Sequence, residues 1–119
     1  MEGFKLLDLS YLEQVCSGNK AMVTKMIDLF VQQTPLQMEQ LRKLSSAGDW
    51  QEFFNVVHKM KSSLSMMGVK SLESTMVNLE DYSKNRIKLD VIPDLITHVI
   101  DTCGHILVEI ESNYQTIGK

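Results

Sequence analysis

Apolar residues recur along this chain at intervals of three and four, the spacing of one face of an α-helix. The clearest stripe consists of Phe53, Val57, Met60, Leu64 and Met67. An earlier segment repeats apolar pairs at every fourth residue from Met22 to Val31, and a later one forms a regular seam from Ile92 to Ile110. Alternating patterns around a tight turn, which would indicate β-hairpins, are nearly absent. The pattern therefore predicts an all-α protein.

Capping residues and helix breakers predict where the first helices begin and end. A short helix is predicted over residues 9–15, and Asn19 is a good N-cap for the helix that follows. Thr34 and Pro35 predict the end of that helix and the start of a third, because proline suits the first turn of a helix. Gly48 is well placed to end the third helix.

Asp49 is the predicted N-cap of a helix that runs to about Met67 and ends at Gly68. Further helices are predicted over residues 70–83 and, after a loop at 85–90, over a long final segment with a proline in its first turn. The short connections favour an up-down bundle of four longer helices, with shorter helices capping one end.

Composition narrows the class of protein. The chain has 119 residues, of which 44% are hydrophobic and 23% charged, so we expect one globular domain over 1–119. The net charge of −3 argues against nucleic-acid binding, which relies on clustered cations. We see no apolar run of the ~18–20 residues that span a bilayer. Cys16 and Cys103 predict buried thiols in a reducing cytosol, so a cytoplasmic location is expected.

One histidine lies on the wrong side of its helix for a core residue. His58 projects about 150° from the middle of the apolar stripe, so it is expected to face solvent. Lys61, Ser62 and Ser65 lie on the same face, within two turns. A neutral imidazole nitrogen is a competent nucleophile towards an activated phosphoryl group, and a neighbouring lysine and hydroxyls can compensate phosphoryl oxygens. The pattern favours phosphoryl transfer.

The stretch from His58 to Gly68 resembles the signature of histidine-containing phosphotransfer (HPt) domains. That signature has a histidine, a lysine three residues later, usually a glycine next, and a second glycine ten residues after the histidine. His58, Lys61 and Gly68 match it, whereas Ser62 stands where glycine is usual and Val57 where alanine is common. Serine is small enough for a partner to approach, and Val57 falls on the buried stripe.

The resemblance implies a function as well as a fold. HPt domains accept a phosphoryl group from the aspartyl phosphate of a response-regulator receiver domain and pass it to another receiver. They often act downstream of a hybrid sensor histidine kinase. The resemblance makes His58 the phosphoacceptor, on Nε2, and Lys61 its stabilising cation. It implies no cofactor of the chain's own, since Mg²⁺ belongs to the receiver, and no nucleotide-dependent kinase activity. We expect a monomer that binds no membrane.

The partner surface is predicted around the same helix, at Ser62, Ser65, Gly68 and Phe54. Phe54 lies on the His58 side and is either an exposed anchor for a receiver or covered by the first helix. Glu80, in the next helix, falls where many HPt domains place a polar residue. It could orient the imidazole, but its charge would repel a phosphoryl group, so we give it little weight.

Two other functions remain open from the sequence. A helical adaptor that binds a kinase or receiver without being phosphorylated would have the same fold, but it would not need an imidazole at position 58. A metal-binding bundle is a weaker alternative, built on the final helix, where His98, Asp101 and His105 share one face at spacings of three and four. No fourth ligand is evident, and that face is predicted to lie in solvent.

Overall fold

The computed structural model describes residues 6–113 of the chain as a bundle of five α-helices. They are α1 (Ser10–Val15), α2 (Lys20–Ala47), α3 (Trp50–Met66), α4 (Glu73–Asn85) and α5 (Ile92–Ser112). A single 3₁₀ turn, Leu89–Val91, leads into α5. Within residues 6–113 there is no β-strand, so the predicted all-α class is confirmed.

The four longer helices form a closed ring around one core. Each of α2 and α4 packs against both α3 and α5, while the short α1 packs on α2. Only Gly48 and Asp49 separate α2 from α3, and Met67 at the far end of α3 lies beside Met26 and Phe30 of α2. These two helices are therefore antiparallel. The up-down order of the remaining helices stays a prediction.

The predicted stripes of α3 and α5 meet inside this ring, whereas the pairs predicted on α2 are only partly buried, since Met22 and Val31 are exposed. Every residue of the α3 stripe is at most 3% exposed, and the seam of α5 is buried along its length. Burial raises the pKa of the Cys103 thiol to about 11, so this cysteine behaves as a small core residue. Cys16 is half-buried. Further buried positions on and before α4 complete the core: Leu72, Met76 and Leu79.

Three of the predicted helix boundaries are confirmed by their hydrogen bonds and dihedral angles. The side chain of Asn19 accepts a hydrogen bond from the backbone N–H of Met22 at 3.1 Å, and Asp49 accepts one from Glu52 at 3.2 Å. Gly48 ends α2 in the left-handed conformation, with φ of 70°.

The prediction that a helix ends at Thr34 and another begins at Pro35 is wrong. Residues Lys20–Ala47 form one continuous helix of 28 residues. Pro35 lies on its exposed side, and so does Val31, whose carbonyl group loses its helical partner because proline has no N–H. Water can hydrate a carbonyl on that side, so the helix continues. Thr34 is 2% exposed and faces the core instead of capping a helix.

The predicted limits of α4 are also shifted. The helix begins at Glu73, three residues later than expected, and ends at Asn85, two residues later. Val69 and Leu72 are buried, so the turn before α4 already packs into the core. Arg86 then ends the helix with φ of 54°.

The segment Leu89–Ser112, which contains α5, is long and apolar enough to cross a membrane by length and hydropathy alone, a property that the sequence analysis did not identify. Within it, a stretch of 18 residues has a mean hydropathy of 1.3. However, its apolar seam is buried against α2 and α4. Exposed Asp94, His98, Asp101 and His105 occupy its outer side. These features are those of a core helix of the bundle.

Gly68 lies where the chain before α1 crosses the end of α3. The N–H of Asp8 donates a hydrogen bond to the carbonyl of Met67 at 3.2 Å. Gly68 has φ of 69°, and a Cβ there would lie 2.8 Å from the carbonyl carbon of Asp8 and overlap its oxygen. Only glycine satisfies both the left-handed backbone and this close approach.

We expect Gly68→Ala to destabilise the protein more than Gly48→Ala does. Both glycines have positive φ, but a Cβ at Gly48 meets nothing within 4 Å, so that variant loses only about 1–2 kcal/mol for the left-handed conformation. Gly68→Ala adds the overlap with Asp8, which costs about 1–3 kcal/mol more. Urea unfolding of the two variants measures the difference, and equal free energies of unfolding would contradict the proposed crossing.

Candidate functional site

His58 lies near the middle of α3 and faces away from the buried stripe, as predicted. Its side chain is 59% exposed, while Val57 beside it is fully buried. The helix thus holds an imidazole in solvent on a backbone that the core fixes in place.

The carboxylate of Glu80 bridges His58 and Lys61. Its Oε2 lies 3.0 Å from Nδ1 of His58, and its Oε1 lies 2.5 Å from Nζ of Lys61. Glu80 belongs to α4, so the bridge joins the two helices that pack side by side here. The side chain of Glu80 is only 13% exposed, and each of its carboxylate oxygens has a donor. The low weight given to Glu80 from the sequence is therefore revised.

The two donors keep this carboxylate ionised. Burial by itself raises the pKa of Glu80, but the hydrogen bonds from Lys61 and His58 and the positive charge of Lys61 outweigh it and lower the pKa below 4.5. An ionised carboxylate only accepts hydrogen bonds. The proton of this bond must therefore sit on Nδ1 of His58.

Placing the proton on Nδ1 determines the chemistry of the other ring nitrogen. In a neutral imidazole, one nitrogen carries the hydrogen and the other an available lone pair. With Nδ1 bound to Glu80, the lone pair of His58 is on Nε2, on a side chain that is largely exposed. This arrangement presents one nucleophilic nitrogen to an incoming group.

Lys61 lies one turn after His58 on α3, but its ammonium contacts Glu80 in the free protein. Its side chain is 36% exposed. The lysine therefore neutralises Glu80 at rest and stays within one helical turn of the imidazole. To contact an incoming phosphoryl group, it would have to exchange one partner for the other.

The serines on this face occupy different positions. The hydroxyl of Ser62 donates to the backbone carbonyl of His58 at 3.3 Å, which directs it along the helix. Ser65 is exposed and lines a groove of about 530 Å³ between α3 and α4 that Lys61, Gly68 and Tyr11 of α1 also line. Both serines are therefore exposed on the face of α3 that carries His58, where the sequence predicted them.

A second, smaller groove flanks the other side of α3. It measures about 220 Å³ and lies against α2, where Met26 and Leu29 face Met66. Ser62 lines both grooves, so it lies on the ridge between them. The partner-binding roles of Ser62, Ser65 and Gly68 stay predictions. Gly68 also has the structural role described above, at the crossing of the chain before α1.

Phe54 stacks on His58. The ring centroids are 6.0 Å apart and the ring planes differ by 16°. Phe54 is half-buried and lines a third cavity, of about 210 Å³, with Ser83, Lys84 and Arg86 from the end of α4 and the turn that follows. None of the residues that line this cavity belongs to α1, so the cavity does not support the alternative in which the first helix covers Phe54.

Sequence reasoning missed one contact of the imidazole, with Phe54, and underestimated another, with Glu80. The spacing of four between Phe54 and His58 on one helix is the signal that would have predicted their stacking. The bond from His58 to Glu80 joins residues 22 apart on different helices, and helical periodicity within one helix contains no such information.

The face of α5 proposed as a weaker metal site does not form one. His98, Asp101 and His105 are exposed on α5. Among residues 6–113, no group of three or more His, Cys, Asp or Glu side chains is arranged to hold a metal ion.

Comparison with known families agrees with this geometry. Residues 25–114 match the family model of the Hpt domain, a range that includes all of α3, α4 and α5. The match covers well over half of the chain, which therefore belongs to the Hpt domain family. No curated protein and no solved structure matched this chain.

Membership of the family assigns the general function. Hpt domains take part in phosphotransfer in two-component signalling, where they interact with receiver and kinase domains. They are typically soluble helical domains. The resemblance identified from the sequence is thus confirmed at the level of family and helical fold.

The bridging carboxylate predicts a pH-dependent contribution to stability. Because folding lowers the pKa of Glu80, its contribution is present above about pH 4.5 and is lost as the pH falls through the folded value. At pH 7 we expect the free energy of unfolding of the wild type to exceed that of Glu80→Gln by about 1 kcal/mol. In acid the two free energies should converge. Urea unfolding across this pH range measures the difference.

Glu39→Gln is the matched control for this measurement. Glu39 pairs with Lys43 at 4.0 Å on α2, but both side chains are more than half exposed, so removing the charge should change little at any pH. If the difference in the free energy of unfolding between wild type and Glu80→Gln stayed constant from pH 3 to pH 7, the proposed stabilisation by the Glu80 bridge would be contradicted.

Proposed function

We propose that this protein is a phosphorelay carrier in which His58 takes a phosphoryl group from a receiver-domain aspartate and delivers it to another receiver. The observation that carries the proposal is the pair of contacts to Glu80. It supports a nucleophilic Nε2 on an exposed His58, with Lys61 one turn away.

The transfer step balances with the groups at this site. The lone pair of Nε2 forms a bond to phosphorus while the bond from phosphorus to the aspartate oxygen breaks, and that electron pair leaves with the carboxylate. The Nδ1 proton stays on the ring and continues to donate to Glu80, so the carboxylate offsets the positive charge that the imidazole gains. Transfer to the next aspartate is the reverse step.

Glu80 would be expected to repel a phosphoryl group, but its position limits that repulsion. Both of its oxygens are engaged, one by Nδ1 of His58 and the other by Lys61. Its charge thus acts on the far side of the ring from Nε2. Lys61 can then move from Glu80 towards the phosphoryl oxygens, where a compact cation stabilises the developing charge.

The partner supplies the remaining chemistry. In this proposal Mg²⁺ comes with the receiver domain, and the chain contributes its own imidazole, carboxylate and ammonium groups. Phe54, Ser62, Ser65 and Gly68 are the proposed partner-facing residues, and the grooves on either side of α3 provide room for contact. We further propose that residues 1–119 act as a single monomeric domain in the cytoplasm, downstream of a hybrid sensor kinase.

Replacing the proposed phosphoacceptor should abolish phosphorylation. We expect wild type, incubated with phosphoramidate or with a phosphorylated receiver, to gain one acid-labile, base-stable phosphate, and His58→Gln to gain none. Intact-protein mass spectrometry detects the adduct. His98→Gln, which alters an exposed histidine on α5, is the matched control and should be phosphorylated like wild type.

Two results would exclude the proposal. If neither donor phosphorylates wild type, His58 is not a phosphoacceptor and the adaptor function is favoured. If His58→Gln is still phosphorylated, the nucleophile is another residue.

Removing the neighbouring cation should slow the transfer without unfolding the protein. We expect Lys61→Ala to transfer to a receiver about 10-fold more slowly or worse, because the transition state loses a positive charge. Quenched-flow transfer assays measure the rate, and circular dichroism verifies the fold. Lys59→Ala removes an exposed lysine of the same helix as the control, and equal rates for the two variants would remove Lys61 from the mechanism.

A further inference from the structure

The imidazole of His58 is held at two different places. Glu80 binds its Nδ1 edge, and Phe54 from the preceding turn of α3 stacks beside it. The separation of 6.0 Å with planes 16° apart is an offset stack, a favourable arrangement for two aromatic rings.

Each contact fixes a different property of the ring. A hydrogen bond at Nδ1 tolerates a range of angles, so by itself it leaves the ring some freedom to rotate about the Cβ–Cγ bond. A stacked neighbour restricts that rotation, because turning the imidazole would take its plane out of the near-parallel arrangement with the Phe54 ring. Together the two contacts define both the tautomer and the plane of the imidazole.

We infer that Phe54 is a positioning residue for phosphoryl transfer, which holds the plane of His58 so that Nε2 is aimed at the incoming phosphorus. The inference rests on the proposed function of His58. It differs from the sequence-based role of Phe54 as a partner anchor, because it acts before any partner binds.

Two physical effects connect this stacking to the rate of transfer. In-line attack needs an aligned lone pair, so a ring held in one orientation spends more of its time ready to react. In addition, the imidazole gains positive charge during attack, and an aromatic face stabilises a cation more than a neutral ring. This second contribution is greater in the transition state than in the ground state, so it accelerates the reaction.

The surroundings of Phe54 allow it to be replaced. The side chain is half-buried and borders an open cavity of about 210 Å³, in contrast to its neighbour Phe53, which is fully buried and packs edge-on against Trp50. A change at position 54 therefore leaves the core intact, and the variants needed for a test should fold.

The test compares Phe54→Leu with Phe54→Tyr, using phosphoramidate as the phosphodonor. This donor is too small to dock on the protein surface, so its second-order rate constant reports on the nucleophile itself. We expect Phe54→Leu to lower that constant about 2- to 10-fold, the range that corresponds to losing an aromatic stack. Phe54→Tyr keeps the ring and should restore it.

Tyr82→Leu is the matched control. Tyr82 is also a half-buried aromatic residue, but it lies on α4 under the ammonium of Lys88, 5.4 Å from the ring centroid. Its replacement should leave the rate constant with phosphoramidate unchanged. If Tyr82→Leu slowed the reaction as much as Phe54→Leu, the effect would be a general one of lost aromatic packing, and the inference would be overturned.

A second readout is independent of phosphorylation. In the unmodified protein, nuclear Overhauser effects between the ring protons of Phe54 and His58 should be observed in wild type and in Phe54→Tyr. Their absence in wild type would overturn the inference. A Phe54→Leu variant that reacts normally with phosphoramidate but slowly with a phosphorylated receiver would also overturn it, because Phe54 would then be a partner contact.

Failure of the inference can be told apart from failure of the proposed function. If wild type shows the ring contacts but takes no phosphate from either donor, the proposed function is wrong. If wild type is phosphorylated on His58 and Phe54→Leu reacts with phosphoramidate at the same rate, the function stands and the positioning role is wrong.

Discussion

The carboxylate of Glu80 is the group on which the site depends. By accepting from Nδ1 of His58, it places the ring lone pair on Nε2, and by pairing with Lys61 it balances its own charge. These contacts also join α3 to α4 at the level of the imidazole. A histidine in water would exchange its two tautomers freely, so the carboxylate turns an ordinary exposed side chain into a defined nucleophile.

The rest of α3 holds His58 in a fixed position because the helix is firmly anchored. Its buried stripe fixes the backbone, Asp49 caps its start, and Phe54 stacks on the imidazole from the preceding turn. At its end, Gly68 allows the chain before α1 to cross closely. The sequence signature from His58 to Gly68 thus combines two requirements, since its first half contains the proposed phosphoacceptor and its last residue is needed for packing.

Residues within one helix were the most predictable part of the protein. Periodicity identified the buried stripe and the exposed position of His58, and the caps at Asn19 and Asp49 followed from local hydrogen bonding. Pro35 led to a wrong helix boundary because local sequence preferences do not specify which side of a helix faces water. The contact with Glu80 was underestimated because it depends on how two helices pack, which a pattern of spacings does not specify.

The ring of helices described above has a consequence for how the site is assembled. Of the neighbouring pairs in the ring, only α2 and α5 bring together distant parts of the sequence, whereas the others join consecutive helices. His58, Lys61 and Glu80 all lie on the consecutive pair α3 and α4. Contacts between near neighbours in sequence cost little loop entropy and form quickly. The groups of the proposed site therefore belong to the part of the chain that can come together before α5 closes the bundle.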